Sequence, residues 1–213
     1  MAGVNAGIPL MIERYSIGDP TRDEGSYGIR PGFQLGATMN LRIGEAVETS
    51  FGLHFNRTSF TYSATPVAFT SYEYVENENR LQIPASFAFR LNPSARRVSI
   101  YLRAGVMGDY LISASGSGTR SYSENLKDVE VDKINIKSSR APLNLHGLAG
   151  IGVRIPLENS FIFIESRYTA GLFLINKGEN RYDNSDVTWI LYHVDSDFRL
   201  QQVSILAGVA WNL

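Results

Sequence analysis

The sequence predicts an all-β chain: an eight-stranded antiparallel transmembrane β-barrel with short turns on one rim and long loops on the other. Three observations predict it. Eight stretches alternate apolar and polar residues over ten or more positions. The connections between them alternate between short and long. Charged residues and glycines share one strand face, and large apolar residues occupy the other. Period-two alternation sends successive side chains to opposite faces of a strand. Eight such strands make a wall that is apolar outside and polar inside.

The strands are expected near residues 2–14, 26–42, 47–62, 73–91, 98–113, 140–156, 160–175 and 197–213. The first alternates Val4, Ala6, Ile8, Leu10 and Ile12. In the second, Phe33, Leu35, Ala37, Met39 and Leu41 oppose Gln34, Gly36, Thr38 and Asn40. The third interleaves Phe51, Leu53 and Phe55 with Gly52, His54 and Asn56. The fourth sets Leu81, Ile83, Phe87 and Phe89 against Arg80, Gln82, Ser86 and Arg90. The fifth sets Ile100, Leu102 and Val106 against Tyr101, Arg103 and Asp109. In the sixth, Ile151, Val153 and Ile155 oppose Gly150, Gly152 and Arg154. The seventh is less regular, because Phe161 and Phe163 share parity with Glu165 and Arg167. The eighth sets Val203, Ile205 and Val209 against Gln202, Ser204 and Gly208, and runs to the C-terminus.

Connections near Ile43–Ala46, Asn92–Arg97 and Leu157–Ser160 are short. Those near Tyr15–Gly25, Ser63–Tyr72, Ala114–Ser139 and Asn176–Ser196 are long. Outer-membrane barrels place turns in the periplasm and loops outside the cell. Within the third long connection, Val129, Val131, Ile134 and Ile136 flank Asp132–Lys133 and predict a hairpin, preceded by a flexible Ser113–Ser117 stretch.

Bulk composition bounds the remainder. The 213 residues are read as one barrel domain, 1–213. No apolar run reaches the length of a membrane helix. A net charge of −1 and the lack of a basic run argue against nucleic acid as a partner. Cysteine is absent, which removes disulfides, thiolate metal sites and a cysteine nucleophile. Eleven Tyr, eleven Phe and two Trp suit aromatic girdles. Strand-like sequence starts at once, so a processed chain, or a numbering that omits the export signal, is expected.

A soluble lipocalin-like barrel is the rival fold, and it needs the opposite polarity. Burying the charged face in a dry core would cost several kcal/mol per unpaired charge. The glycines of the polar face, the loop pattern and the terminal Val209-Ala210-Trp211-Asn212-Leu213 favour the membrane barrel in a bacterial outer membrane.

Three segments are similar to a known group. Asn79-Arg80-Leu81-Gln82-Ile83-Pro84 is similar to a strand start with Gln82 where an acid is usual. Glu165-Ser166-Arg167-Tyr168-Thr169-Ala170-Gly171-Leu172 carries an Arg-Tyr then Gly-Leu pattern, and Gly147 to Gly152 is glycine-rich. In these the chain resembles the PorT-type outer-membrane β-barrel family of Bacteroidota. The resemblance implies an eight-stranded barrel with no shared catalytic residue or cofactor. Some members of that family serve in type IX secretion or other outer-membrane assemblies.

Candidate functional residues fall into four sets. Arg30, Glu48, Arg80, Arg103, Asp109, Arg154, Glu165 and Arg167 form a candidate lumen network, read as an ion-paired plug, with a narrow channel as the alternative. Trp189, Ile190, Leu191 and Tyr192 form a candidate partner contact or an interfacial girdle. His54, His146 and His193 lack metal-site spacing, so no metal is expected. His193, Asp195 and Ser196 are the nearest set to a lipid or peptide hydrolase, but alternating directions would separate His193 from Ser196. The expectation is a non-enzymatic interaction or scaffold subunit without a cofactor. Its partners would be outer-membrane lipid and other outer-membrane or surface proteins.

Overall fold

In the computed structural model the described residues are 2–13, 26–67, 69–92, 98–122, 127–180 and 197–211, with 2–13 and 66–67 described as backbone. They form nine strands: β1 (Ala2–Glu13), β2 (Ser26–Arg42), β3 (Val47–Val67), β4 (Thr70–Arg90), β5 (Ser99–Tyr122), β6 (Val129–Asn135), β7 (Leu143–Pro156), β8 (Ser160–Gly171) and β9 (Asp197–Trp211). All except β6 join one ring. The order runs β4-β3-β2-β1-β9-β8-β7-β5, and β5 pairs back to β4. Every pairing is antiparallel. Closure leaves no unpaired edge within the ring, which a lipid environment requires.

The inner-rim turns are tight. Gly44 takes φ 102° in the β2–β3 turn, a backbone that side chains disfavour. Leu157 N donates to Ser160 O at 2.8 Å in the β7–β8 turn.

Which face looks outward is settled by burial. Glu48, Arg80, Asp109 and Glu165 are buried inside, while Leu35, Met39, Phe51, Phe87, Ile151 and Ile205 are exposed. This is the polarity of a membrane barrel and the reverse of a lipocalin. On β4 the outward residues change character along the strand. Leu81, Ile83, Ala85, Phe87 and Phe89, with Leu91 just past the strand end, form an apolar band, and Ser71, Glu73, Val75, Asn77 and Asn79 lie beyond it. The band is about 33 Å long at roughly 3.3 Å per residue. At a tilt of roughly 40° it spans about 25 Å, the height of an outer-membrane apolar belt.

Several expectations are corrected beyond that band. Ser63–Tyr72 is not a long loop: β3 and β4 stay paired as far as Val67↔Thr70. The expected flexible stretch Ser113–Ser117 belongs to β5 and pairs with β4. No hairpin turns at Asp132–Lys133. That segment is the single strand β6, which pairs with β5 through Ser115↔Asn135 and Arg120↔Val129, and the shift between Gly116 and Gly118 sets a bulge there. The result is a four-stranded sheet of β3, β4, β5 and β6 standing above the belt. β7 starts at Leu143 rather than residue 140, and β8 ends at Gly171 rather than 175.

Candidate functional site: an ion-paired lumen

The lumen is filled in tiers, because alternate residues of every ring strand point inward. Nearest the inner rim, Arg154 Nη1 donates to Glu48 Oε2 at 2.6 Å, and Arg90 Nε lies 3.5 Å from Glu48 Oε1. Arg90 also donates to the carbonyl of Glu45 in the β2–β3 turn. The Arg154 guanidinium sits 4.6 Å from the Tyr101 ring centroid and 4.8 Å from that of Phe161. This accounts for the irregular parity of β8. Phe161 and Phe163 are turned inward with Glu165, and Phe161 serves as the apolar surface against which a charged group stacks.

The next tier centres on Glu165. Its Oε2 accepts from Tyr101 Oη at 2.8 Å and Arg103 Nε at 2.9 Å, and its Oε1 accepts from Arg167 Nε at 2.8 Å. Arg103 Nη1 continues to Ser86 Oγ at 2.9 Å. Beside it, Gln34 donates to His54 Nδ1 at 2.9 Å, which leaves Nε2 to donate to Thr38 Oγ1 at 3.0 Å. His54 is a satisfied interior group.

Farther out, Asp109 receives Arg80 Nη1 on Oδ1 and faces His146 Nε2 with Oδ2, both at 3.0 Å. Arg80 Nε also donates to Glu78 Oε2 at 2.9 Å. At the mouth, Arg140 Nε and Nη2 donate to Glu76 Oε1 and Oε2 at 2.5 Å, and Arg140 Nε lies 3.7 Å from Glu78 Oε1. Next to that pair, Phe60, Phe198, Leu200 and Ile175 pack into an apolar stopper, with Tyr27 against it. The segments that carry Arg140 and Ile175 are stitched together. Ala141 N donates to Ile175 O at 2.6 Å, and Lys177 N donates to Ser139 O at 3.0 Å.

Glycines in the ring make room for these groups. A Cβ on Gly36 would come within 2.3 Å of the His54 ring, and one on Gly152 within 2.4 Å of Tyr101. At these two positions the space is taken by rings.

Of the expected network, the structure brings Glu48 together with Arg154, Arg80 with Asp109, and Glu165 with Arg103 and Arg167. Arg30 is the exception. It is exposed and registers with Ser59, beyond a shift between Arg30 and Phe33. The extra residue reverses strand parity, so the inward series that includes Gln34 does not continue to Arg30. Sequence reasoning missed Glu76, Glu78 and Arg140. Glu76 and Glu78 have the same parity as Arg80, so carrying the β4 alternation upstream would have found them. Trp189, Ile190, Leu191, Tyr192, His193, Asp195 and Ser196 lie outside the described residues. Among the described residues, no group of His, Asp and Glu could hold a metal ion.

This arrangement binds charge to charge and excludes solvent. Arg80, His54, Asn56 and Glu165 are fully buried. The inverted polarity, the ring closure and the packed lumen define a small outer-membrane β-barrel. Residues 2–177 match the family model described as "Outer membrane protein beta-barrel domain", and the chain belongs to that family. It is an outer-membrane protein. No curated protein matches the sequence. Among solved structures the chain is similar to Neisserial surface protein A, at 14% identity over 100% of this chain and 96% of that one, with a TM-score of 0.42. It is also similar to OprG from Pseudomonas aeruginosa, at 9% identity over 99% and 92% of the two chains, TM-score 0.43. Ail of Yersinia pestis is similar at 10% identity over 99% and 93%, TM-score 0.33.

Proposed function

We propose that this barrel is a non-enzymatic interaction or scaffold subunit of an outer-membrane protein assembly. The resemblance to the PorT-type family of Bacteroidota makes a secretion machine, such as type IX, the assembly to test first. One observation carries the reading: the lumen is occupied by its own side chains, with Arg80, His54 and Glu165 fully buried. An interior of that kind favours a plug over a channel. Function then falls to the outside, the lipid-facing wall and the sheet of β3, β4, β5 and β6. In the lumen the Asp109–His146 pair is also buried. The mechanism is positional: the belt seats the barrel in lipid, the ion pairs keep it rigid, and the outer sheet and loops meet a partner.

The test is extraction of the full chain from native membranes in mild detergent, followed by sizing and mass spectrometry. Co-migration with larger outer-membrane proteins, lost when Trp189, Ile190, Leu191 and Tyr192 are changed to alanine, is the expected result. Migration as a lone barrel in every detergent tried overturns the subunit reading.

A further inference from the structure

The outer wall holds a cleft at the foot of the β3–β6 sheet, between β5 and β6. β5 pairs with β7 up to Tyr110↔Leu143 and with β6 only from Ser115↔Asn135. Between those points Leu111 N still donates to Pro142 O at 2.8 Å and Ala114 O accepts from Ile136 N at 3.1 Å, so the gap is confined to Ile112 and Ser113. The shift at Arg80↔Leu111 and Asn79↔Ser113 leaves Ile112 and Ser113 both turned outward. A cleft of about 290 Å³ fills the gap, lined by Ile112, Ser113, Ser115, Lys133, Asn135 and Lys137 among others. Its lining carries two ammonium groups, two hydroxyls and an amide, and no carboxylate.

The position of the cleft is as informative as its lining. Ile112 is the last outward apolar residue of β5, and Ser113 begins the polar part. The cleft therefore sits where the wall leaves hydrocarbon for head groups, on the long-loop rim. Lys137 reaches down that wall, with Nζ 6.0 Å from the centroid of Tyr110, which is 48% exposed. A lysine above an interfacial tyrosine is the arrangement by which a long cationic side chain keeps its charge at head-group depth.

We propose that this cleft holds the phosphate-bearing head group of an outer-leaflet lipid. Lys133 and Lys137 supply the counter-charges, and the acyl chains lie against Tyr110 and Ile112. Phosphate matches the lining: two cations neutralise it, and the Ser115 hydroxyl and the Asn135 amide donate to its oxygens. Ser113 Oγ accepts from Asn79 at 2.8 Å and keeps its own proton for donation. Asp132 and Glu130 are exposed on β6 but do not line the cleft.

The experiment uses the full chain folded in micelles, with retained lipid read by native mass spectrometry. Three probes are compared: bisphosphorylated lipid A, the same lipid with both phosphates removed, and inorganic phosphate as competitor. Binding of the bisphosphorylated lipid should weaken roughly thirtyfold in a K133A/K137A double variant, near fivefold per lysine. K133R/K137R should retain it, and Lys177→Ala, which is not part of the lining, should change nothing. Unaltered heat-dependent gel mobility shows that each variant is folded. Equal retention of the phosphate-free lipid, or no loss in K133A/K137A, overturns the proposal. Displacement by millimolar inorganic phosphate also overturns it, because the site would then take a free anion.

Discussion

Arg140 and Glu76 form a two-pronged pair across the barrel mouth, with Nε and Nη2 of the arginine each 2.5 Å from a carboxylate oxygen. Both side chains are buried, and they come from distant parts of the chain: Glu76 from β4, Arg140 from the segment that leads into β7. The pair holds down the strap that also carries the bonds to Ile175 and Lys177. Removing one partner strands a buried charge, at a cost of about 3–5 kcal/mol. Arg140→Ala should therefore loosen the mouth, seen as faster protease cleavage between β6 and β7 in the folded barrel. Replacing both partners, as Glu76→Gln with Arg140→Met, should recover most of the loss. Equal cleavage in the wild type and Arg140→Ala would show that the strap is held by its backbone bonds alone.

Glu165 serves three donors where Tyr101 serves one acceptor, so their substitutions should rank. Glu165→Gln leaves Arg103 and Arg167 without their shared anion and should cost about 3–5 kcal/mol. Tyr101→Phe removes one bond to a charged group, about 1.5–3 kcal/mol. Urea titration of the barrel folded in lipid vesicles measures both. The opposite ranking would place the stability of this tier in packing around the ring.

Gly152→Ala tests the close approach. Its added carbon would meet Tyr101 Cζ at 2.4 Å, while a carbon on Gly108 would meet nothing within 4 Å. Overfilling of this kind costs about 1–3 kcal/mol. Gly108→Ala should be neutral, and Tyr101→Leu should relieve much of the Gly152→Ala defect. Identical unfolding midpoints for the two alanine variants would mean that the Tyr101 ring moves freely.

The belt should respond to charge according to depth. Arg at Phe87 lies well inside the apolar band and should cost about 2–4 kcal/mol, whereas Arg at Asn77, beyond the band, should cost about 0–1. Folding yields into vesicles, followed by gel mobility, report the difference. Equal yields would move the membrane boundary outward along β4.

Much of the fold is legible in the sequence because strand parity is a local property. Phe51, Leu53 and Phe55 must share a face whatever else the chain does. What parity cannot announce is its own reversal. The shifts near Pro31 and near Ile112 each add one residue on one strand; Pro31-Gly32 is a bulge signal for the first, whereas nothing in the sequence around Ile112 marks the second. Arg30 was placed in the lumen for that reason. The length of β3, β4 and β5 was underread for a different one. Above the belt the outward face turns largely polar, as in Ser71, Glu73 and Asn77, while the inward one mixes Tyr72 and Tyr74 with Glu76 and Glu78, so contrast fades while pairing continues. Lumen pairs were legible as a set of charges but not as partners. Glu48 and Arg154 meet from strands far apart in sequence, and that follows only from ring closure.

The seam between β1 and β9 gives the ring a temporal constraint. Ala2 registers with Ala207, so the first strand waits for the last before its outer edge is satisfied. Until β9 arrives, two rows of backbone amides and carbonyls stand open, and hydrocarbon offers them nothing. Insertion and sealing are therefore a single event. An intermediate that lacks β9 would leave both rows unsatisfied in hydrocarbon, so its apolar wall has to be shielded in water until the ring can close.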